Sequence, residues 1–431
     1  MLDNLTVLDE ANMSLDVNIS EPEEFNCNEL HNAIKEVATK IGINDFEYHV
    51  ESLCGKGDNY IANLFRVVIK DTNEETNSAS VIVKTLVNTA RQETFHELHK
   101  REVEVYEKVI PMFLKIQQVL NEENKVMFPN CVLSRINDGQ EILILEDMNL
   151  KGFSMSDKVA RFEQLNLTEV ELILKELAKF HALSLIYKNQ EPESFKNLKH
   201  EFQDLMFDTK FLNKSQLRKY FDESFEMSLK VVDDFETNKL LRKIGTKLTE
   251  ILRFYTKPNK RCNVFCHGDC WVNNILFKKS ETEHQLCFLD FQALRYTNPA
   301  TDIVHFLFLC TNSNFRFQHF ENLLDIYYES LQTFLNLFNL DINNVYSRGH
   351  FDLDVKDMLP FGLLIALIEL RIVTCTSDDI DALRGSVLAL NTIGLPPDNE
   401  LFRVRVNDVV REAKRNGAIS KLVDEVYTSI F

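Results

Sequence analysis

The run His267-Gly268-Asp269-Cys270-Trp271-Val272-Asn273-Asn274 is a polar segment between two apolar stretches, and Asp290-Phe291-Gln292 begins sixteen positions after Asn274. It puts one carboxylate, Asp269, and one amide, Asn274, on a loop; a second carboxylate, Asp290, ends the next apolar strand. Oxygens converging in this way suit a hard divalent cation. Mg²⁺ takes octahedral oxygen coordination, typically one or two carboxylates completed by substrate phosphates. In that arrangement Asn274 and Asp290 hold Mg²⁺, and Asp269 faces a hydroxyl that attacks the γ-phosphate of ATP. An ordinary surface turn could carry the same polar residues, but the flanking strands and the second motif favour the chemistry.

A second group of residues points to the same chemistry. Lys84 interrupts the apolar stretch Val81-Ile82-Val83-Lys84-Thr85-Leu86, where a lone ammonium is costly. In the following helical segment Phe95, Leu98, Tyr106 and Val109 form one apolar stripe, and Glu102 falls within it. Two charges facing a core are most simply explained as a pair, which would aim Lys84 at the α- and β-phosphates of ATP. A snorkelling lysine with a solvated Glu102, or Glu104 as partner, is the alternative. The loop Gly55-Lys56-Gly57-Asp58-Asn59 has the glycines that let a backbone approach phosphates, though a plain hairpin needs them as well. Ile142–Asp147 reads as a hinge, with backbone groups from Glu146 to Met148 placed for an adenine edge.

These residues need elements to hold them. Residues 1–28 read as an acidic, loosely ordered leader. Residues 29–147 read as a small lobe. It has a helix over Asn28–Ile41, three strands between Phe46 and Leu86, a helix over Gln92–Ile110, and a hairpin joining Cys131–Arg135 to Glu141–Leu145 through Asn137-Asp138-Gly139. Residues 148–431 read as a larger helical lobe, with helical spacing over Leu167–Tyr187, Phe202–Phe235, Lys239–Tyr255, Leu323–Leu337, Asp357–Thr374 and Asn407–Ile430. The catalytic loop sits between its short strands. The cleft between the lobes is then the natural ligand site.

Composition bounds the function. The 431 residues carry a net charge of -18, which disfavours nucleic-acid partners. No apolar run is long enough to cross a bilayer, so no membrane partner is expected. The nine cysteines are scattered and odd in number, which suits a reducing compartment, and a cytoplasmic protein is expected. Cys262, Cys266 and Cys270 recur every four residues without gathering as zinc ligands would. His181 reads as a hydrogen-bonded core histidine. Asp302 reads as a helix cap or as a brace for the loop.

The chain resembles the ecdysteroid-kinase-like family, an insect-expanded branch of the choline-kinase-like and aminoglycoside-phosphotransferase-like group. The resemblance runs over residues 30–420 and rests on GKGDNY (55–60), VIVK (81–84), REVEVY (101–106), ILEDM (144–148), AKFHALS (178–184), HGDCWVNNILF (267–277) and LDFQALRYTNPATDI (289–303). It implies an α+β, bilobal protein-kinase-like fold with a small antiparallel-sheet lobe and a large helical lobe. It also implies an ATP-dependent enzyme that phosphorylates a hydroxyl of a small molecule, ecdysteroids being the best-known class. By that resemblance Asp269 is the catalytic base, Asn274 and Asp290 the metal ligands, Lys84 the phosphate lysine and Glu102 its helix partner. Two departures stand out: Ala62, where a small hydroxyl residue is expected after the glycine loop, and Trp271, where protein kinases have a lysine. Arg295 is a candidate for the missing positive charge. Abundant Phe and Trp271 suit an apolar, steroid-like acceptor. A choline, ethanolamine or xenobiotic acceptor remains open, as does a silent nucleotide-binding scaffold, which the filled motif positions argue against.

Overall fold

The computed structural model describes residues 21–427 apart from 54–61, 75, 88, 90–91, 157–164, 216, 280–283 and 375–399. After helix α1 (Asn28–Lys40), strands β1 (Phe46–Ser52), β2 (Asn63–Asp71) and β3 (Ser78–Thr85) form an antiparallel meander, the period-two runs of Val and Ile supplying one buried face. Helix α2 (Gln92–Glu104) follows and runs through a wide turn at Val105–Val109 into α3 (Ile110–Gln117), past the end expected at Ile110. Strands β4 (Cys131–Arg135) and β5 (Ile142–Glu146) complete a five-stranded sheet in the order β1-β2-β3-β5-β4.

Side-chain alternation decides what each face does. Val81, Val83, Ile142 and Ile144 pack with Leu30, Ile34 and Val37 of α1. Lys84 and its cross-strand partner Leu143 therefore point to the other face, where Leu143 joins the large core of the helical lobe. The described end of the leader is not loose: Phe25 is fully buried and meets Phe65 edge-to-face, its centroid 5.0 Å away. A phenylalanine in an acidic segment gives no periodicity from which docking could be read.

Past the short strand β6 (Ser154–Met155), a capping box at Asn166 and Glu169 opens α4 (Leu167–Gln190), followed by α5 (Pro192–Glu201). The stretch expected as one helix over Phe202–Phe235 breaks into α6 (Thr209–Ser215) and α7 (Leu217–Val231). Asp208 accepts the Lys210 and Phe211 N–H groups before α6, and Asp234 caps α8 (Phe235–Gly245), which α9 (Leu248–Thr256) follows. Strand β7 (Val264–Cys266) pairs with β10 (Arg295–Thr297), whereas β8 (Ile275–Lys279) and β9 (His284–Phe288) form a hairpin carried against β6. Helices α10 (Ala300–Cys310), α11 (Ser313–Asn336), α12 (Ile342–Val345), α13 (Arg348–Val373), α14 (Glu400–Arg415) and α15 (Ala418–Lys421) complete the larger part. The helix expected over Asn407–Ile430 therefore stops at Arg415, where Gly417 takes a left-handed conformation. Gly362 of α13 lets Val304 and Phe308 of α10 approach, since a Cβ there would lie 3.1 Å from both. The result is the α+β bilobal fold with a small antiparallel sheet and a large helical part. No helix among the described residues is long and apolar enough to cross a membrane.

Candidate active site

Lys84 is where the two lobes meet chemically. Its Nζ lies 2.6 Å from Glu102 Oε2 of α2 and 2.7 Å from Asp290 Oδ1, just past β9. Lys84 is 6% and Glu102 1% exposed, so the pair is sequestered, and Glu104 instead turns to Lys108. Burial alone would lower the Lys84 pKa; the Asp290 and Glu102 carboxylates outweigh it and hold the ammonium charged.

Asp290 adopts a left-handed backbone with φ 63° and ψ 67°, which is uncommon for a residue with a side chain. Its successor anchors it: Phe291 is fully buried, with its ring 5.0 Å from the His267 ring and 6.0 Å from those of Phe180 and Tyr106. Gln292 is likewise buried.

The loop after β7 is braced at consecutive residues. Asp302 of α10 accepts the His267 N–H (2.6 Å) and the Gly268 N–H (3.0 Å), and its Oδ2 lies 3.1 Å from His181 Nε2. His181 is the expected core histidine, its other nitrogen 2.7 Å from Tyr327 OH. Burial would raise the Asp302 pKa, but His181 and the neighbouring positive charges bring it down to about 2. His267 donates from Nε2 to the Leu289 carbonyl (2.9 Å), which leaves Nδ1 to accept the Asp269 N–H (3.3 Å). Gly268 has φ +86°, and a Cβ there would sit 2.0 Å from the Ala293 carbonyl oxygen.

Asn274 donates from Nδ2 to the Asp269 carbonyl (2.9 Å) and to Asp269 Oδ2 (3.0 Å). The amide oxygen is thereby turned away from the carboxylate. Burial and then the Asp290 charge push the Asp269 pKa up to about 7. Lys84, Glu102 and Asp290 are thus joined directly, and Asp269 and Asn274 form a second joined pair within electrostatic reach of both Asp290 and Lys84.

Other expected site residues fare differently. Gly55, Gly57 and Asn59 lie outside the described residues. The Glu146 side chain is taken by Lys151 (2.6 Å) and by Asn130 Nδ2 (2.9 Å). At the hinge backbone, the Glu146 N–H donates to Asn130 O (2.9 Å) and the Met148 carbonyl accepts from the Phe153 N–H (3.1 Å), which narrows the groups left for an adenine. The Ala62 side chain packs in an apolar cluster with Leu86, Phe95, Leu98 and Phe211, where a hydroxyl would face hydrocarbon. Arg295 does not line the cleft: it is 1% exposed, over the Phe207 ring and 3.6 Å from Asp204, so its charge reaches Asp269 as a field.

Sequence reading missed Arg101. It is a buried guanidinium of α2 that donates to the carbonyls of Leu294 (2.7 Å) and Gln203 (2.9 Å) in the helical lobe. Its neighbour Glu102 stands out as the misplaced charge on the apolar stripe, whereas Arg101 is one of several charged residues of α2 and bonds backbone carbonyls, which leave no mark in a sequence.

Residues 56–340 match the ecdysteroid kinase-like family. The chain belongs to it. No curated protein matches the chain. Among solved structures it is similar to an ethanolamine kinase of Plasmodium vivax, at 16% identity and TM-score 0.40, covering 96% of each chain. It is also similar to a microcompartment-associated aminopropanol kinase, at 11% identity and TM-score 0.44, covering 90% of this chain and 99% of that one. A third is an aminoglycoside phosphotransferase from Streptomyces rimosus, at 14% identity and TM-score 0.33, with 76% and 98% covered. The ecdysteroid kinase-like family thus takes in two thirds of the chain, with Lys84, Glu102, Asp269, Asn274 and Asp290 all inside the matched span.

Proposed function

We propose that this member of the ecdysteroid kinase-like family is a magnesium- and ATP-dependent kinase that transfers the γ-phosphate to a hydroxyl of a small apolar metabolite, with an ecdysteroid-like steroid as first choice. The observation that carries the reading is the bridge from Lys84 to both Glu102 and Asp290, which joins the sheet lobe, α2 and the helical lobe at one ammonium.

The donors fit Mg²⁺. Asp290 spends one oxygen on Lys84 and keeps the other, and Asn274 uses its amide nitrogen on Asp269, so its oxygen is the atom left to offer. Asn274 and Asp290 would hold the ion, which when bound would supply positive charge against the negative charge of the phosphates. Lys84, kept charged and held from two sides, is the protein's own cation for the phosphates. Asp269 orients the acceptor hydroxyl and receives its proton. Phosphoryl-transfer transition states are mostly loose, so positioning supplies more of the acceleration than proton abstraction does. The Asp302 brace and His267 set that position.

One observation favours a second acceptor class. Glu369 of α13 is half-buried, lies 3.5 Å from Tyr220 OH, and has no ion-pair partner among the described residues. Burial and the Asp269 charge push its pKa up to about 8. A carboxyl left without a counter-cation would welcome an amino alcohol.

The test is to incubate the protein with Mg-ATP and hydroxylated steroids or amino alcohols in parallel, and follow phosphate gain by mass spectrometry. Steroid phosphates support the first choice and amino-alcohol phosphates the second. Transfer by an Asp269→Asn variant as fast as wild type would remove Asp269 from the role given it.

A further inference from the structure

Three buried histidines surround the catalytic loop, and two of them use both ring nitrogens. His267 donates to Leu289 O and accepts from the Asp269 N–H, while His181 lies between Tyr327 OH and Asp302. The third, His305, is 5% exposed, and neither ring nitrogen has a hydrogen-bond partner among the described residues. Buried polar atoms are nearly always paired, so an imidazole unpaired at both positions calls for an explanation.

His305 stands one turn after Asp302 on α10, on the same helix face. Asp302 secures the loop at His267 and Gly268; His305 comes next and meets the loop at Asp269, with Nε2 3.8 Å from Asp269 Oδ1. That is too long for a hydrogen bond but needs only a small closure to become one. The other carboxylate oxygen, Oδ2, is already held by Asn274. Catalytic hydrogen bonds are often long in the unliganded enzyme and tighten in the reacting complex.

We infer that His305 is a positioning residue: in the nucleotide-loaded enzyme its ring N–H donates to Asp269 Oδ1 and fixes the rotation of the carboxylate that faces the acceptor hydroxyl. The inference rests on the kinase reading given above for Asp269. Burial, followed by the Arg295 charge, holds the imidazole pKa down to about 3, so the ring is neutral and adds a directed donor rather than a charge. The carboxylate keeps free lone pairs for the hydroxyl, since an ionised carboxyl has about four acceptor sites. Helix α10 then secures three consecutive residues of the loop, Asp302 through backbone N–H groups and His305 through the reacting side chain.

The test has two arms. In the first, the full chain carries ¹⁵N-labelled histidine, and the His305 ring signals are assigned by their loss in His305→Gln. Adding Mg²⁺ and the β,γ-imido analogue of ATP should give a ring N–H protected from exchange in the wild type and absent in Asp269→Ala. Identical ring signals in the two proteins overturn the inference. In the second arm, phosphate release or transfer from Mg-ATP is compared between variants. His305→Phe should lower kcat about tenfold or more with KM for ATP unchanged, and His305→Gln, which keeps an N–H donor, should recover most of it. A packing role would give the reverse order, Phe tolerated and Gln harmful, and would also overturn the inference. If the wild type moves phosphate neither to an acceptor nor to water, the kinase reading itself has failed, and the ring spectra still decide the His305–Asp269 contact.

Discussion

Gly268 shows how narrowly single residues constrain this site. Its positive φ and the Ala293 carbonyl oxygen 2.0 Å from where a Cβ would sit leave no room for a side chain. Gly268→Ala must shift the loop or β10's approach, at a cost of about 2 kcal/mol or more. The expected outcome is a lower urea midpoint together with a loss of phosphotransfer. His99 gives a second residue-scale expectation. It is buried on α2, donates to the Arg135 carbonyl (3.0 Å), and burial lowers its pKa to about 4. In the unfolded chain the imidazole takes up its proton near pH 6.5, about 2.5 units higher. Between those values the unfolded state binds more protons, so stability falls as pH is lowered from about 6.5 to about 4, by at most about 1.4 kcal/mol per pH unit from this group. Urea midpoints at pH 7 and pH 5 should therefore differ less in His99→Gln than in the wild type.

At the scale of elements, α2 is the piece that couples the lobes. Glu102 reaches the sheet through Lys84, and Arg101 beside it reaches Leu294 and Gln203 of the helical lobe. Arg101→Met keeps the bulk but leaves buried carbonyls unpaired, each costing about 1–3 kcal/mol. It should lower the thermal midpoint and raise KM for Mg-ATP, because α2 no longer holds Glu102 against Lys84; Arg101→Lys should fall between. The strands were legible in advance because their apolar runs alternate and their turns carry Asn, Asp and Gly. The candidate site was open to sequence reading because Asp269 and Asn274 share one loop and Asp290 follows sixteen positions later. Helix ends were less so: continuous apolar spacing over 202–235 hides the breaks that Asp208 and Asp234 impose through side-chain bonds to the next backbone N–H groups. Arg101 was illegible because its partners lie far along the chain, Leu294 being 193 positions away. Pattern along a sequence reports local period, and such pairings have none.

For the whole molecule, the two faces of the sheet differ: Leu30, Ile34 and Val37 close the α1 face, and the opposite face carries Lys84 toward Asp290. On the proposed reading, that division would let a triphosphate bind despite the net charge of -18, because the Lys84 ammonium faces inward, beside Asp290. Mg²⁺ is expected to be required for nucleotide binding as well as for transfer. The most direct measurement is calorimetric titration of the wild type and Asp290→Ala with the β,γ-imido analogue of ATP, with Mg²⁺ and with EDTA in its place. Saturable binding that needs Mg²⁺ in the wild type and is lost in Asp290→Ala is the result expected. Binding of equal strength in EDTA, or in Asp290→Ala with Mg²⁺, would contradict the account.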